Sequence, residues 1–190
     1  MSLWGNDIAP KNLTDAEKIE VFANEKGWVR EAGSILSGNG NTSADPEVLV
    51  AISALPTSMG NANLTSFSFV NTTYDKSAGF TMSVTANFNE AVTVTGTPRL
   101  SVTNGNQGTG SGRGPHVLSY ASGSNSNKLL FTLVIAANNA ATNADDVMVI
   151  GVNAVALNGG TIKDKGTAVV SAITNTAAVG TGAGSVTVVA

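Results

Sequence analysis

Cysteine is absent from this 190-residue chain, and histidine occurs once, at His116. Without thiols there is no disulfide framework, so stability must come from packing alone, which fits folding in a reducing compartment. Without a thiol, a second histidine or a Ser-His-Asp spacing, nucleophilic catalysis lacks its parts. Charge is scarce too: Asp, Glu, Lys and Arg make up 12% of the chain, against ~25% in ordinary globular domains. Ten Lys and Arg, a net charge of −3 and a pI near 5.0 leave no basic stripe. Phosphate contact needs such a stripe, so nucleic acid is excluded as a partner. No apolar run reaches the ~18 residues of a membrane-spanning helix, which excludes a membrane anchor of that kind. The first thirty residues also lack a basic segment leading into an apolar one, so no secretory signal is expected.

Hydrophobic residues fill 42% of the chain, enough for a core. Thr, Ser, Asn and Gly supply roughly two residues in every five, taking the place of the missing charge. Such residues suit turns and the wet faces of strands, while Thr and Val favour strands themselves. Helix formers thin out after residue 60. The composition predicts an all-β protein.

Residues 1–56 hold a charge cluster of Asp15, Glu17, Lys18, Glu20, Glu25, Lys26, Arg30 and Glu31. Thr14-Asp15-Ala16-Glu17 reads as a capping box for a short helix. Ile19–Ala23 and Trp28–Ala32, flanking the Gly-containing turn 24–27, read as a hairpin. The hairpin, with one helical turn ahead of it, is the favoured assignment. Ser37–Asn41 reads as a loop, Val48–Ile52 as a buried strand, and residues 57–63 as a linker. From residue 64 to 175 short strands alternate with turns. Phe80, Met82, Val84, Ala86 and Phe88 alternate with polar residues, giving one apolar face. Leu64–Val70, Leu100–Val102, Val117–Ala121, Lys128–Ile135, Val147–Leu157 and Thr167–Ile173 complete the set around a Gly-rich loop from Asn104 to Gly114. About seven short strands at this spacing predict a Greek-key sandwich. Residues 176–190 read as a Gly-rich tail with a terminal strand near Val186–Val189, free to join its own sheet or a neighbour's edge.

Three phrases carry a resemblance. They are Phe88-Asn89-Glu90-Ala91-Val92-Thr93-Val94-Thr95-Gly96-Thr97-Pro98-Arg99-Leu100, then Tyr120-Ala121-Ser122-Gly123-Ser124, then Leu157-Asn158-Gly159-Gly160-Thr161-Ile162-Lys163-Asp164. In that order they resemble the bacterial immunoglobulin-like repeat of large surface proteins, including the cyanobacterial swimming-motility cell-surface protein. The resemblance covers about residues 62–173 and implies an immunoglobulin-like Greek-key β-sandwich. The chain departs from the repeat at Asn138-Asn139 and at Lys165-Gly166, so no ion site of that family is carried over. The opening Met1-Ser2-Leu3-Trp4-Gly5-Asn6 and the stretch Val21–Val29 are similar to the starts of small virion proteins of marine tailed bacteriophages. Together the two likenesses reconcile a domain usually displayed outside cells with a start that shows no export signal, because phage particles assemble in the host cytoplasm.

Candidate sites are few. His116, after Gly114-Pro115, reads as a loop or strand-edge residue. The Gly-rich loop lacks the Gly-Lys-Ser/Thr ending and following helix of a phosphate cradle. Asp145-Asp146 is the best carboxylate pair, yet neighbours on a strand point to opposite faces and calcium needs six or more oxygens, so a solvated turn is favoured. No metal or cofactor is expected. Trp28 is assigned to a small core. Trp4, with Leu3 and Ile8, is assigned to a partner interface, as are Val186 and Val188 of the terminal strand. The resemblances imply a non-enzymatic capsid decoration protein. Its arm (1–56) would bind the major capsid protein, and its sandwich would face outward, as a single copy or a homotrimer. A tail- or fibre-associated adhesion module and a bacterial surface adhesin are the alternatives.

Overall fold

The computed structural model describes residues 13–24, 26–34, 40–51, 61–105 and 115–190. Strands take 53% of them and helices 7%, so the protein is all-β.

The capping box forms. Thr14 Oγ1 accepts from the Glu17 amide at 3.3 Å, and Glu17 Oε2 accepts from the Thr14 amide at 2.8 Å. These bonds satisfy donors that a helix start otherwise strands, and they open α1 (Asp15–Glu20). The helix runs directly into β1 (Val21–Asn24), which pairs antiparallel with β2 (Gly27–Arg30). The predicted helix and hairpin therefore both exist, with Ile19 and Glu20 in the helix. The third strand of this small sheet, β3 (Glu47–Ala51), pairs with β2. It is an edge strand and not the buried one expected: Val48 is 42% exposed. Among the described residues β3 pairs with β2 alone.

Nine strands form the remainder. In chain order they are β4 (Leu64–Phe69), β5 (Tyr74–Asp75), β6 (Phe80–Thr95), β7 (Arg99–Gly105), β8 (His116–Ser122), β9 (Ser126–Ile135), β10 (Val147–Ala156), β11 (Thr161–Asp164) and β12 (Val186–Val189). They hydrogen-bond in the order β11-β6-β9-β8-β7-β10-β12-β5, with β4 also on β6, and curl into a half-barrel. Curling needs bends. Register breaks between Asn87 and Val92 in β6 and between Ile150 and Val155 in β10 provide them. On β6 the predicted alternation holds: Met82, Val84, Ala86 and Phe88 are buried. They meet Phe67, Leu100, Leu118, Leu129, Phe131, Met148 and Ile150 in one core. Tyr74 stacks on Phe80 with ring centroids 4.4 Å apart, anchoring the two-residue β5.

Two predicted elements differ. Residues 167–173 are not a strand and contribute only isolated bridges, Val170 to Lys163 and Ala172 to Asn63. Ala168 sits at φ 59°, and Asp164 Oδ1 accepts from the Thr167 amide at 2.7 Å, so a tight turn interrupts extension there. The Gly-rich tail is no appendage. Its α2 (Ala177–Thr181) lies against β10, where a Cβ on Gly180 would overlap the Ile150 carbonyl. Its β12 pairs antiparallel with β10 and parallel with β5.

Candidate functional site: a polar cleft between the small sheet and the half-barrel

Strand alternation splits β1 into two faces. Val21 and Ala23 turn inward with Trp28, forming the small core with Leu13, Leu49 and Val50 around it. Phe22 and Asn24 turn the other way and line a cleft of about 570 Å³. Its other wall belongs to the half-barrel: Glu90 and Ala91 from the β6 bulge, Asn125–Asn127 from the β8–β9 turn, and Lys165-Gly166 after β11. That volume lies within the ~300–1,000 Å³ range of small-molecule sites.

Backbone hydrogen bonds lock the three half-barrel segments together. The Asn125 amide donates to the Val92 carbonyl at 2.7 Å, and the Lys165 amide donates to the Ala91 carbonyl at 2.9 Å. The turn is further set by Ser126, whose Oγ donates to the Gly123 carbonyl and accepts from the Lys128 amide. Gly123 sits at φ 108°, and a Cβ there would overlap the Lys128 carbonyl, so no other residue fits the turn. Asn125 adopts φ 69°, a left-handed conformation that Asn tolerates. Beside the cleft, Lys128 Nζ pairs with Glu31 at 2.6 Å, tying β9 to the segment after β2.

The described lining is rich in side-chain amides: Asn24, Asn125 and Asn127. Asn24 spends its Oδ1 on the Lys26 amide at 2.8 Å. Among the described residues, no hydrogen bond engages the side-chain amide of Asn125 or Asn127. Glu90 is buried at 8% exposure, and Lys165 is exposed.

The residues singled out in the sequence lie elsewhere. Leu3, Trp4 and Ile8 fall outside the described residues. Val186 and Val188, expected at a partner interface, both turn inward. They are 3% and 0% exposed within the half-barrel core, because β12 has found its partners in β10 and β5 of its own chain. Trp28 is in the small core, as expected.

His116 opens β8, at a strand end as expected, and lies with Asp146 in a buried polar cluster. His116 is 7% exposed, with Nε2 3.3 Å from Thr142 Oγ1. Burial lowers its pKa from the ordinary 6.5, and the nearby Asp146 charge opposes that shift. Asp146 is fully buried, and its Oδ2 accepts from Asn104 Nδ2 at 3.0 Å and from the Asn143 amide at 2.8 Å. The solvated turn expected at Asp145-Asp146 holds only for Asp145, which is exposed at φ 67°. Asp146 instead knits β7 to the loop before β10. Among the described residues, no three His, Cys, Asp or Glu side chains gather as a metal site, and no helix is long and apolar enough to cross a membrane.

No family model matches the chain, and neither does any curated protein or solved structure. Sequence reasoning missed the cleft because its walls come from four distant segments. The signal available was the polar, Asn-rich composition of Ser122–Asn127.

Proposed function

We propose that this chain is a structural protein of a phage virion, a capsid decoration protein without enzymatic activity. Its N-terminal part binds the major capsid protein, with Leu3, Trp4 and Ile8 as the apolar contacts, and the half-barrel faces outward. The half-barrel is read here as an immunoglobulin-like Greek-key sandwich. The order β6-β9-β8-β7 supports that reading, since three strands joined in sequence are closed by an earlier fourth. The bulges in β6 and β10 support it too, because they let one strand bend from layer to layer.

One observation carries the virion reading: the two sequence likenesses fall on two differently built parts. The part like a virion protein is a small charged sheet with its own core, and the part like a displayed repeat is a low-charge half-barrel. A decoration protein needs this division between a holding part and a displayed part. Many copies on one shell would add avidity, because each further contact is effectively intramolecular.

Counting the chain in purified particles against the major shell protein tests the proposal. About one copy per shell subunit, or about one per three if it sits as a homotrimer, is expected. A handful per particle would move it to the tail or a fibre, as an adhesion module. Absence from particles would overturn the virion reading.

A further inference from the structure

We propose that Lys76 and Asn143 react with each other to form an intramolecular amide bond, a cross-link that fastens the terminal strand β12. This inference stands apart from the virion reading. Lys76 Nζ donates to Asn143 Oδ1 at 3.1 Å, between residues 67 positions apart in sequence. Both residues are half-buried. Among the described residues, Lys76 has no carboxylate within ion-pair distance, and no hydrogen bond engages Asn143 Nδ2. Two other lysine contacts differ in kind. Lys18 pairs with Asp15 and Lys128 with Glu31, and a carboxylate is a far poorer acceptor of an amine lone pair than a neutral carboxamide.

Both backbones are held for the encounter. The Lys76 amide donates to the Val189 carbonyl at 3.0 Å, and the Lys76 carbonyl accepts from the Asn138 amide at 2.8 Å. The Asn143 amide donates to Asp146 Oδ2 at 2.8 Å, and the Asn143 carbonyl accepts from the Asp146 amide at 3.2 Å. Asp146 is thus a positioning residue. Given a carbonyl bond of ~1.23 Å, the contact at Oδ1 puts Nζ within about 4.3 Å of Cγ. A small side-chain rotation closes that gap to the ~3–3.5 Å of attack. Nζ then bonds to Cγ as the Cγ–Nδ2 bond breaks. The lysine ammonium gives up two protons, which solvent at the half-buried pair carries to Nδ2, and Nδ2 leaves as ammonium. Nothing is oxidised or reduced, and no co-reactant is needed. β12 runs between the two segments: the Val189 carbonyl accepts from Lys76, while Val188 bonds to Asp145 and Asp146. The new bond clamps both flanks of β12 together. In a chain without cysteine it does what a disulfide would, and a reducing compartment does not undo it.

The test ages the purified full chain for several days, reads its intact mass and then maps its peptides. A mass lower by one ammonia is expected, with one branched peptide joining Lys76 to Asn143 and no tryptic cut after Lys76. The denatured chain should also run faster on a gel than an unlinked one, with reductant present. Lys76→Arg keeps the positive charge but not the nucleophile, and Asn143→Ala removes the carbon under attack. Neither should form the branched peptide. Each should melt about 10 °C below the linked chain, the contribution of closing a loop of this length in a protein of this size. The wild-type peptide map decides the question even if a variant fails to fold. The proposal fails if the wild-type mass stays unchanged, or if Asn143 shows only deamidation. It fails equally if Lys76→Arg still loses ammonia at Asn143, which would mark a succinimide in place of a link.

Discussion

The small sheet and the half-barrel solve the same problem with unequal means. The half-barrel closes nine strands around a core in which Met82, Val84, Leu100, Leu118, Leu129, Phe131 and Met148 lose all contact with water. The small sheet has three strands and a core whose buried members are Val21, Ala23 and Trp28. A three-stranded sheet with so little apolar cover is marginal by itself. It therefore leans on its neighbour. Val29, on the face of β2 opposite Trp28, is fully buried, β1 lies against β6 and α1 against β4, and Lys128 pairs with Glu31. The lesson is that one part is stable through its contents and the other through its attachment.

Substitutions can break this contrast in order of size. Phe131→Ala removes a ring at 0% exposure that also meets Tyr120 edge-on at 6.0 Å. A loss of about 3–5 kcal/mol is expected, with one cooperative transition in denaturant for the whole half-barrel. Trp28→Ala should act locally. Amide exchange in β1, β2 and β3 is expected to accelerate by two orders of magnitude or more, for a local loss of about 3 kcal/mol. Protection in β6, β8 and β9 should stay near wild type; equal acceleration there would show that the two parts unfold as one.

The third and smallest effect is in pH. His116 has a folded pKa below its ordinary 6.5 because burial disfavours the imidazolium. On acidification the unfolded chain takes up this proton first, so stability is full above about pH 6.5 and falls as pH drops toward the folded value. In chemical denaturation across that window, His116→Gln should flatten the slope. Exchange in the small sheet should show no matching change, since His116 belongs to β8.

What could be read from the sequence depended on how local its cause was. The capping box at Thr14 and Glu17, the β6 alternation and the β8–β9 hairpin follow from neighbours within a few residues, and all three appear. Residues 167–173 have the composition of a strand, but Ala168 takes a left-handed turn set by Asp164, which the alternation of apolar residues does not reveal. Val186 and Val188 looked available to a partner because nothing nearby pairs with them. Their partners are Met148 and Tyr74, distant in sequence. The cleft was hidden for the same reason, its lining running from Phe22 to Gly166.

The parallel pairing of β12 with β5 sets the timetable of folding during synthesis. Tyr74 emerges from the ribosome early, but its strand partner is Val188. Until that residue clears the exit tunnel, β5 has no strand beside it and the β10 edge lies open. Closing so long a loop carries an entropic cost and slows folding. The half-barrel is thus expected to complete after translation has passed residue 189, and its unfinished edge is where newly made copies would be most prone to pair with each other.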